Sequence, residues 1–124
     1  MTHDYSSSDI IRINTLDGPV YHMKIPLIFR FDTIADAFED DPHATDLDIK
    51  ISKQGFIDLL RFFDINGEVD YSKNQWRQVL EVADYLNVNR TYLDMLLDAF
   101  LYDVTKTRMK ESMKIRDVIN QVYS

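Results

Sequence analysis

The chain has 124 residues and a mass of 14.6 kDa, enough for one domain around one core. Hydrophobic residues are 45% and aromatics 12% of it, which excludes global disorder, and three Gly and three Pro are too few for collagenous, low-complexity or turn-dense all-β chains. Fourteen Lys and Arg against 21 Asp and Glu leave a net charge of −7, which repels phosphate backbones and argues against a nucleic-acid partner.

Residues 1–8 are polar, end in three serines and read as a flexible leader without the basic-then-apolar profile of a signal peptide. From Ile10, the alternation of Ile11 and Ile13 with Arg12 and Asn14 predicts a strand. Asp17-Gly18 supplies a turn, and Tyr21, Met23 and Ile25 alternate with His22 and Lys24 in a return strand that Pro26 ends. Asp32-Thr33 caps a short helix with Ile34, Ala37 and Phe38 on one face, stopped by Glu39-Asp40-Asp41-Pro42. Leu47, Ile49 and Ile51 predict a third strand. Ser52 opens a helix carrying Phe56, Ile57, Leu59, Leu60 and Phe63, which closes near Asn66-Gly67. The capping-box pattern Ser72-x-x-Gln75 starts the next helix, with Trp76, Val79, Leu80, Ala83 and Leu86 at helical spacing. Asn89 or Thr91 begins another, striped by Leu93, Leu96, Leu97, Phe100, Leu101 and Val104, and Ile115, Val118, Ile119 and Val122 suggest a last one. The order is β-β-α-β followed by helices only.

No reaction chemistry assembles from these residues. The chain has no Cys, hence no disulfide, Cys-ligated zinc or thiol catalysis. His3, His22 and His43 lack metal-binding spacing, and solvated surface is expected for them. A calcium loop over Asp64–Asp70 fails in either register, because Gly at position 6 and Glu at position 12 are never met together; a helix-ending turn is expected. The Asn89-Arg90-Thr91 sequon reads as a helix cap, and nucleotide and hydrolase motifs are missing. No apolar run approaches a membrane span. A soluble intracellular domain that is not an enzyme and needs no cofactor or metal is the expectation.

The informative feature is surplus apolar surface. Beside its main stripe, the helix over 91–104 carries a second row, Tyr92, Met95, Ala99 and Tyr102, and Met109 and Met113 precede the apolar face of the last helix. Two readings stand. Either these rows form a partner face, or the 91–104 helix is central and the last helix folds back over it.

Several runs resemble the BTB/POZ superfold and, within it, the Skp adaptor family of SCF ubiquitin ligases. Ile11-Arg12-Ile13 with Leu16-Asp17-Gly18 is similar to that family's opening strand and S-x-D-G turn, and Thr33-Ile34 through Phe38-Glu39-Asp40 to its T-I-x-x-M-L-E-D helix. Leu80-Glu81-Val82-Ala83-Asp84-Tyr85-Leu86-Asn87-Val88 resembles L-x-A-A-N-Y-L-D-I, the most specific match. Val104-Thr105-Lys106-Thr107 and Ile115-Arg116-Asp117-Val118-Ile119-Asn120 are similar to I-x-G-K-T and E-I-R-K-T-F-N. The likeness spans about residues 10–122. Arg108–Lys114 is longer than the family's link and lacks its P-E-E start, and Asp84 replaces the Asn of the N-Y pair.

The resemblance implies an α+β, BTB/POZ-like fold: a small three-stranded sheet with packed helices over 9–104 and a C-terminal helical tail over 105–124. It implies a non-catalytic adaptor, cytoplasmic or nuclear, bridging a cullin scaffold and an F-box-type substrate receptor. Asp84 and Tyr85, with Ile34 and Phe38, fall on the cullin side. Leu101, Val104, Met109, Met113, Ile115, Val118, Ile119 and Val122 fall on the F-box side, where apolar rows at helical spacing suit a helix-in-groove contact. The alternatives are a self-associating BTB/POZ homodimer and an elongin C-like adaptor. Elongin C ends after the segment matching Leu86-Asn87-Val88, so the Skp arrangement fits the longer chain better.

Overall fold

A computed structural model describes residues 9–65 and 69–123. The expected leader over 1–8, which contains His3, and the expected helix end at Asn66-Gly67 lie outside the described residues.

The hairpin forms where Asp17-Gly18 predicts it. β1 (Ile10–Thr15) pairs antiparallel with β2 (Gly18–Met23), and Gly18 closes the turn at φ 138°, a backbone region that side chains disfavour. The alternation then decides which face is wet. Ile11, Ile13 and Val20 are buried, whereas Ile10, Arg12, Tyr21 and Met23 point to the open side of the sheet. β3 (Asp46–Asp48) pairs parallel with β1, which makes β1 central in the order β2-β1-β3. This strand is shorter than Leu47, Ile49 and Ile51 predict. The Ile51 N–H bonds the Ile49 carbonyl (2.9 Å) and turns the chain, although Ile49 and Ile51 both remain buried.

Pro26 does not end the hairpin in a loop. It occupies the first turn of α1 (Lys24–Arg30), where a missing N–H costs no helical hydrogen bond. α1 is therefore an element that the alternation through Ile25 concealed. α2 (Asp32–Asp40) follows after Phe31, buries Ile34 and Phe38 one turn apart, and runs on through Glu39 and Asp40. Lys24 is itself buried; its ammonium donates to the Pro42 carbonyl (2.8 Å) and lies 4.4 Å from the Phe38 ring centre.

The remaining helices start where local chemistry says they should. The Ser52 hydroxyl accepts from the Gly55 N–H (3.2 Å) at the head of α3 (Lys53–Asp64). Ser72 and Gln75 form the reciprocal capping box of α4 (Lys73–Leu86), at 3.1 and 2.9 Å. Asn89, rather than Thr91, caps α5 (Arg90–Thr105) by accepting the Thr91 N–H at 3.2 Å. α6 (Ile115–Tyr123) folds back onto the domain, and Ile115, Val118 and Ile119 join the core that contains Ile11 and Ile13.

A continuous string of aromatic rings runs through that core. Phe31 meets Phe63 (6.3 Å between ring centres), Phe63 meets Phe62 (5.2 Å), and Phe62 meets Trp76 (6.0 Å). Trp76 then meets Phe100 (5.5 Å), on which Tyr123 of α6 stacks at 6.0 Å. Such edge-on and stacked pairs add stabilisation beyond their buried area. The result is an α+β domain with one small mixed sheet and, among the described residues, six helices.

Candidate functional site

α6 decides what the C-terminal helices can offer. Val118 is fully buried and Leu101, Ile115 and Ile119 nearly so. Four residues expected on a receptor-binding face therefore contribute to the core. Val104, Met109, Met113 and Val122 are half-buried beside them. Polar contacts fix the helix at both ends. Arg116 Nε donates to Asp84 of α4 (3.0 Å), and the Tyr123 hydroxyl donates to the Lys73 carbonyl (2.7 Å). Burial pushes the Tyr123 phenol up to about 12. The second apolar row of α5 divides: Tyr92 and Ala99 pack inward, whereas Met95 and Tyr102 stay about half exposed.

Between α5 and α6, residues 106–114 have no regular structure and lie along the polar side of α5. Asp98 holds them with two bonds, accepting from Arg108 (2.9 Å) and from the Met109 N–H (2.9 Å). The Ser112 hydroxyl donates to Asp94 (3.4 Å), and the Arg108 guanidinium sits 4.1 Å from the Tyr102 ring centre. An open concavity of about 270 Å³ is walled mainly by this segment's own residues, 107–111 and Met113, with Leu101 and Gln121 at its edge.

The other expected interface lies at the end of α4. Tyr85 is 52% exposed, Asp84 is half-buried in its ion pair with Arg116, and Ile34 and Phe38 are buried in the core beneath α2. Tyr85 and Asp84 thus lie at a surface, whereas Ile34 and Phe38 are core residues of α2 and present no surface of their own. This end of α4 is laced to the α1–α2 junction. Phe31 and Val88 form an isolated antiparallel bridge, the Asp32 N–H bonds the Asn87 carbonyl (3.0 Å), and the Asn89 N–H bonds the Arg30 carbonyl (2.8 Å). The Thr33 hydroxyl donates to the Tyr85 carbonyl (3.4 Å). Phe29, on the hidden helix α1 one residue from this lacing, is 64% exposed and was not anticipated. Its signal is the spacing of Leu27 and Phe31, both fully buried, which leaves Phe29 on the opposite side of a turn.

Charge is unevenly placed. Asp32, Asp36, Glu39, Asp40, Asp41, Asp46 and Asp48 fall within residues 31–49, which hold no Lys or Arg. The rest of the chain carries the other fourteen acidic residues against fourteen basic ones, so the whole net charge of −7 belongs to α2, β3 and their link. Asp46 is offset by Arg12 at 3.0 Å.

Among the described residues, no group of three or more His, Asp or Glu converges in a way that would hold a metal ion. His22 is not the solvated surface histidine expected: its side chain is 13% exposed, with Nε2 3.2 Å from Asp64, which also accepts from Arg30 (2.9 Å). The buried carboxylate of Asp58 takes one bond from Gln54 (3.0 Å), while its second oxygen has no protein partner. The nearby Tyr71 hydroxyl donates instead to the Asp58 carbonyl (2.7 Å), and burial pushes that phenol up to about 12. Among the described residues, no helix is long and apolar enough to cross a membrane. Comparison with protein families, with curated proteins and with solved structures returns no match.

Proposed function

We propose that this chain is a non-catalytic adaptor of the Skp type on a BTB/POZ-like fold, acting in the cytoplasm or nucleus and joining a cullin-type scaffold to an F-box-type helical receptor. The observation that carries this reading is the disposition of the run from Leu80 to Val88. Leu80, Val82, Ala83, Leu86 and Val88 enter the core, while Tyr85 is set at the surface with Asp84 beside it. Tyr85 is 52% exposed, and tyrosines are enriched among residues that anchor interfaces, which suits a partner contact at this end of α4. The coarse order, a hairpin, then helices, a third strand and helices only (β-β-α-α-β followed by helices), supports the same reading.

The test is binding of the purified chain to a cullin N-terminal domain and to an F-box peptide. Tyr85→Ala is expected to weaken scaffold binding by roughly thirtyfold, the effect of losing an anchor of about 2 kcal/mol. Receptor binding and melting temperature should stay near wild type, since an exposed side chain contributes little to folding. A chain that ignores both partners refutes the reading.

The open face of the sheet favours a second reading, a self-associating BTB/POZ module. Ile10 and Met23 are directly paired across β1 and β2, with Tyr21 one step along, and all three are exposed on that face. Sedimentation showing a strict monomer at tens of micromolar would remove it.

A further inference from the structure

We propose that the groove between β2 and α3 binds an extended segment of a partner protein, which adds to the sheet as a fourth strand and sets a carboxylate on Arg61. The surface involves neither Tyr85 nor the C-terminal helices, so the inference stands independently of the adaptor reading.

β2 is an edge strand: among the described residues it pairs only with β1. The two-residue turn closes at the Thr15–Gly18 pair, and ladder bonds alternate from there, through Ile13 with Val20 and Ile11 with His22. The backbone groups of Pro19, Tyr21 and Met23 are thereby turned away from β1. Pro19 suits such a place because it has no N–H to offer, and the Met23 carbonyl already accepts from His22 Nδ1 (2.9 Å). Tyr21 is left with both an N–H and a carbonyl open to a new strand. Beside this edge lies an open groove of about 350 Å³, walled by Val20 and Tyr21 of β2 and by Ile57, Leu60, Arg61 and Asp64 of α3, with Ile65 at its end. Ile57 is half-buried and Ile65 is exposed, so apolar side chains can reach this wall. In a strand addition, main-chain bonds supply affinity and alternate side chains supply specificity.

Charge selects the occupant. Every other arginine of the chain pairs with a carboxylate, whereas Arg61 is exposed and has no ion pair among the described residues. Asp64, the acid of the groove, is already met by Arg30 (2.9 Å) and His22 (3.2 Å). The incoming strand therefore carries Asp or Glu. Alternate side chains of a strand point to the same side, so its carboxylate at Arg61 and an apolar residue over Ile57 lie two positions apart. A second copy does not meet this description, because its β2 (Gly18–Met23) contains no acidic residue.

A phage-displayed library of random octapeptides, panned on the full chain after depletion on Arg61→Ala, tests the proposal. The depletion removes phage held by the acidic side of the molecule. Enriched sequences should carry Asp or Glu two positions from Ile, Leu, Val or Phe. The best of them, made as a free peptide, should bind Arg61→Ala about tenfold more weakly than wild type, the effect of losing one charge-assisted contact. Arg61 is exposed and unpaired, so the variant should melt with wild type. At saturation, hydrogen exchange of the Tyr21 amide, followed by NMR, should slow by about tenfold or more as its N–H enters a ladder.

No enrichment, or enriched peptides without an acidic residue, overturns the proposal. Binding that leaves the Tyr21 amide exchanging as before also overturns it, since the peptide is then not a strand on β2. Protection of that amide that needs no peptide and rises with protein concentration makes a second copy the occupant and refutes it.

Discussion

Val118→Ala tests whether α6 belongs to the core. The residue is fully buried in the cluster that unites α6 with α4, α5 and the sheet. Removing two methyl groups forfeits about 1.6 kcal/mol of transfer free energy. The space left behind adds on the order of 1 kcal/mol, since packed surroundings relax only in part. A loss of about 2–3 kcal/mol in a domain of this size lowers the melting temperature by roughly 8–12 °C. Arg116→Ala is the control on the same helix: its 3.0 Å ion pair with Asp84 is partly exposed, so its loss costs at most about 1 kcal/mol. Urea denaturation followed by circular dichroism measures both variants. The only tryptophan, Trp76, gives a second probe, because it packs on Phe100, which in turn stacks on Tyr123 of α6. If Val118→Ala melts within about 2 °C of wild type, far less than the cavity argument requires, α6 is not docked and the assignment of Ile115, Val118 and Ile119 to the core fails.

Two further outcomes follow from packing and burial. Gly55→Ala is expected to destabilise by about 1 kcal/mol, because overpacking outweighs the gain in helix propensity. The new Cβ would lie 2.9 Å from Val82 Cγ2 and 3.2 Å from the Gln78 carbonyl oxygen; a double-mutant cycle with Val82→Ala should show positive coupling, and a more stable Gly55→Ala would refute the close approach of α3 and α4. Alkaline stability provides the other test. Tyr71 and Tyr123 are both raised from 10.0 to about 12 by burial, so the folded state holds their protons more tightly than the unfolded chain does. Their contribution is fully present below pH 10 and is lost as pH rises towards about 12. Urea midpoints across that range should fall steeply for wild type and less so for the Tyr71→Phe, Tyr123→Phe double variant; equal slopes would contradict the burial.

Most local chemistry was legible in the sequence and tertiary outcomes were not; the expected Asp32-Thr33 cap failed, since Phe31 is the N-cap of α2 and no side chain caps it. Asp17-Gly18, Ser52 and Ser72 act on backbone groups within a few residues, and each produced the turn or cap that its type demands. Pro26 misled because the same residue that halts a strand is also tolerated in the first turn of a helix. β3 ended early because a turn at Lys50 broke its regular register, although Ile49 and Ile51 keep single backbone bonds to Asn14 and Leu16 and still found the core. The apolar rows of α5 and α6 left two outcomes open, since helical spacing reads the same for a core and for an interface; only the docking of α6 decided for Val118. The Asp98 clasp spans ten residues to Arg108 without any motif to announce it.

The bridge between Phe31 and Val88 has a consequence for how the chain comes off the ribosome. The hairpin and α1 are synthesised first, yet the Arg30 carbonyl waits for the Asn89 N–H and the Asp32 N–H for the Asn87 carbonyl. At about 5–20 residues per second, the intervening stretch takes several seconds to emerge. Until it does, Phe31 has no strand partner and the α1–α2 junction stays unlatched. The nascent N-terminal part therefore depends on a segment far along the chain, and a stall before Asn89 would leave it open to chaperones.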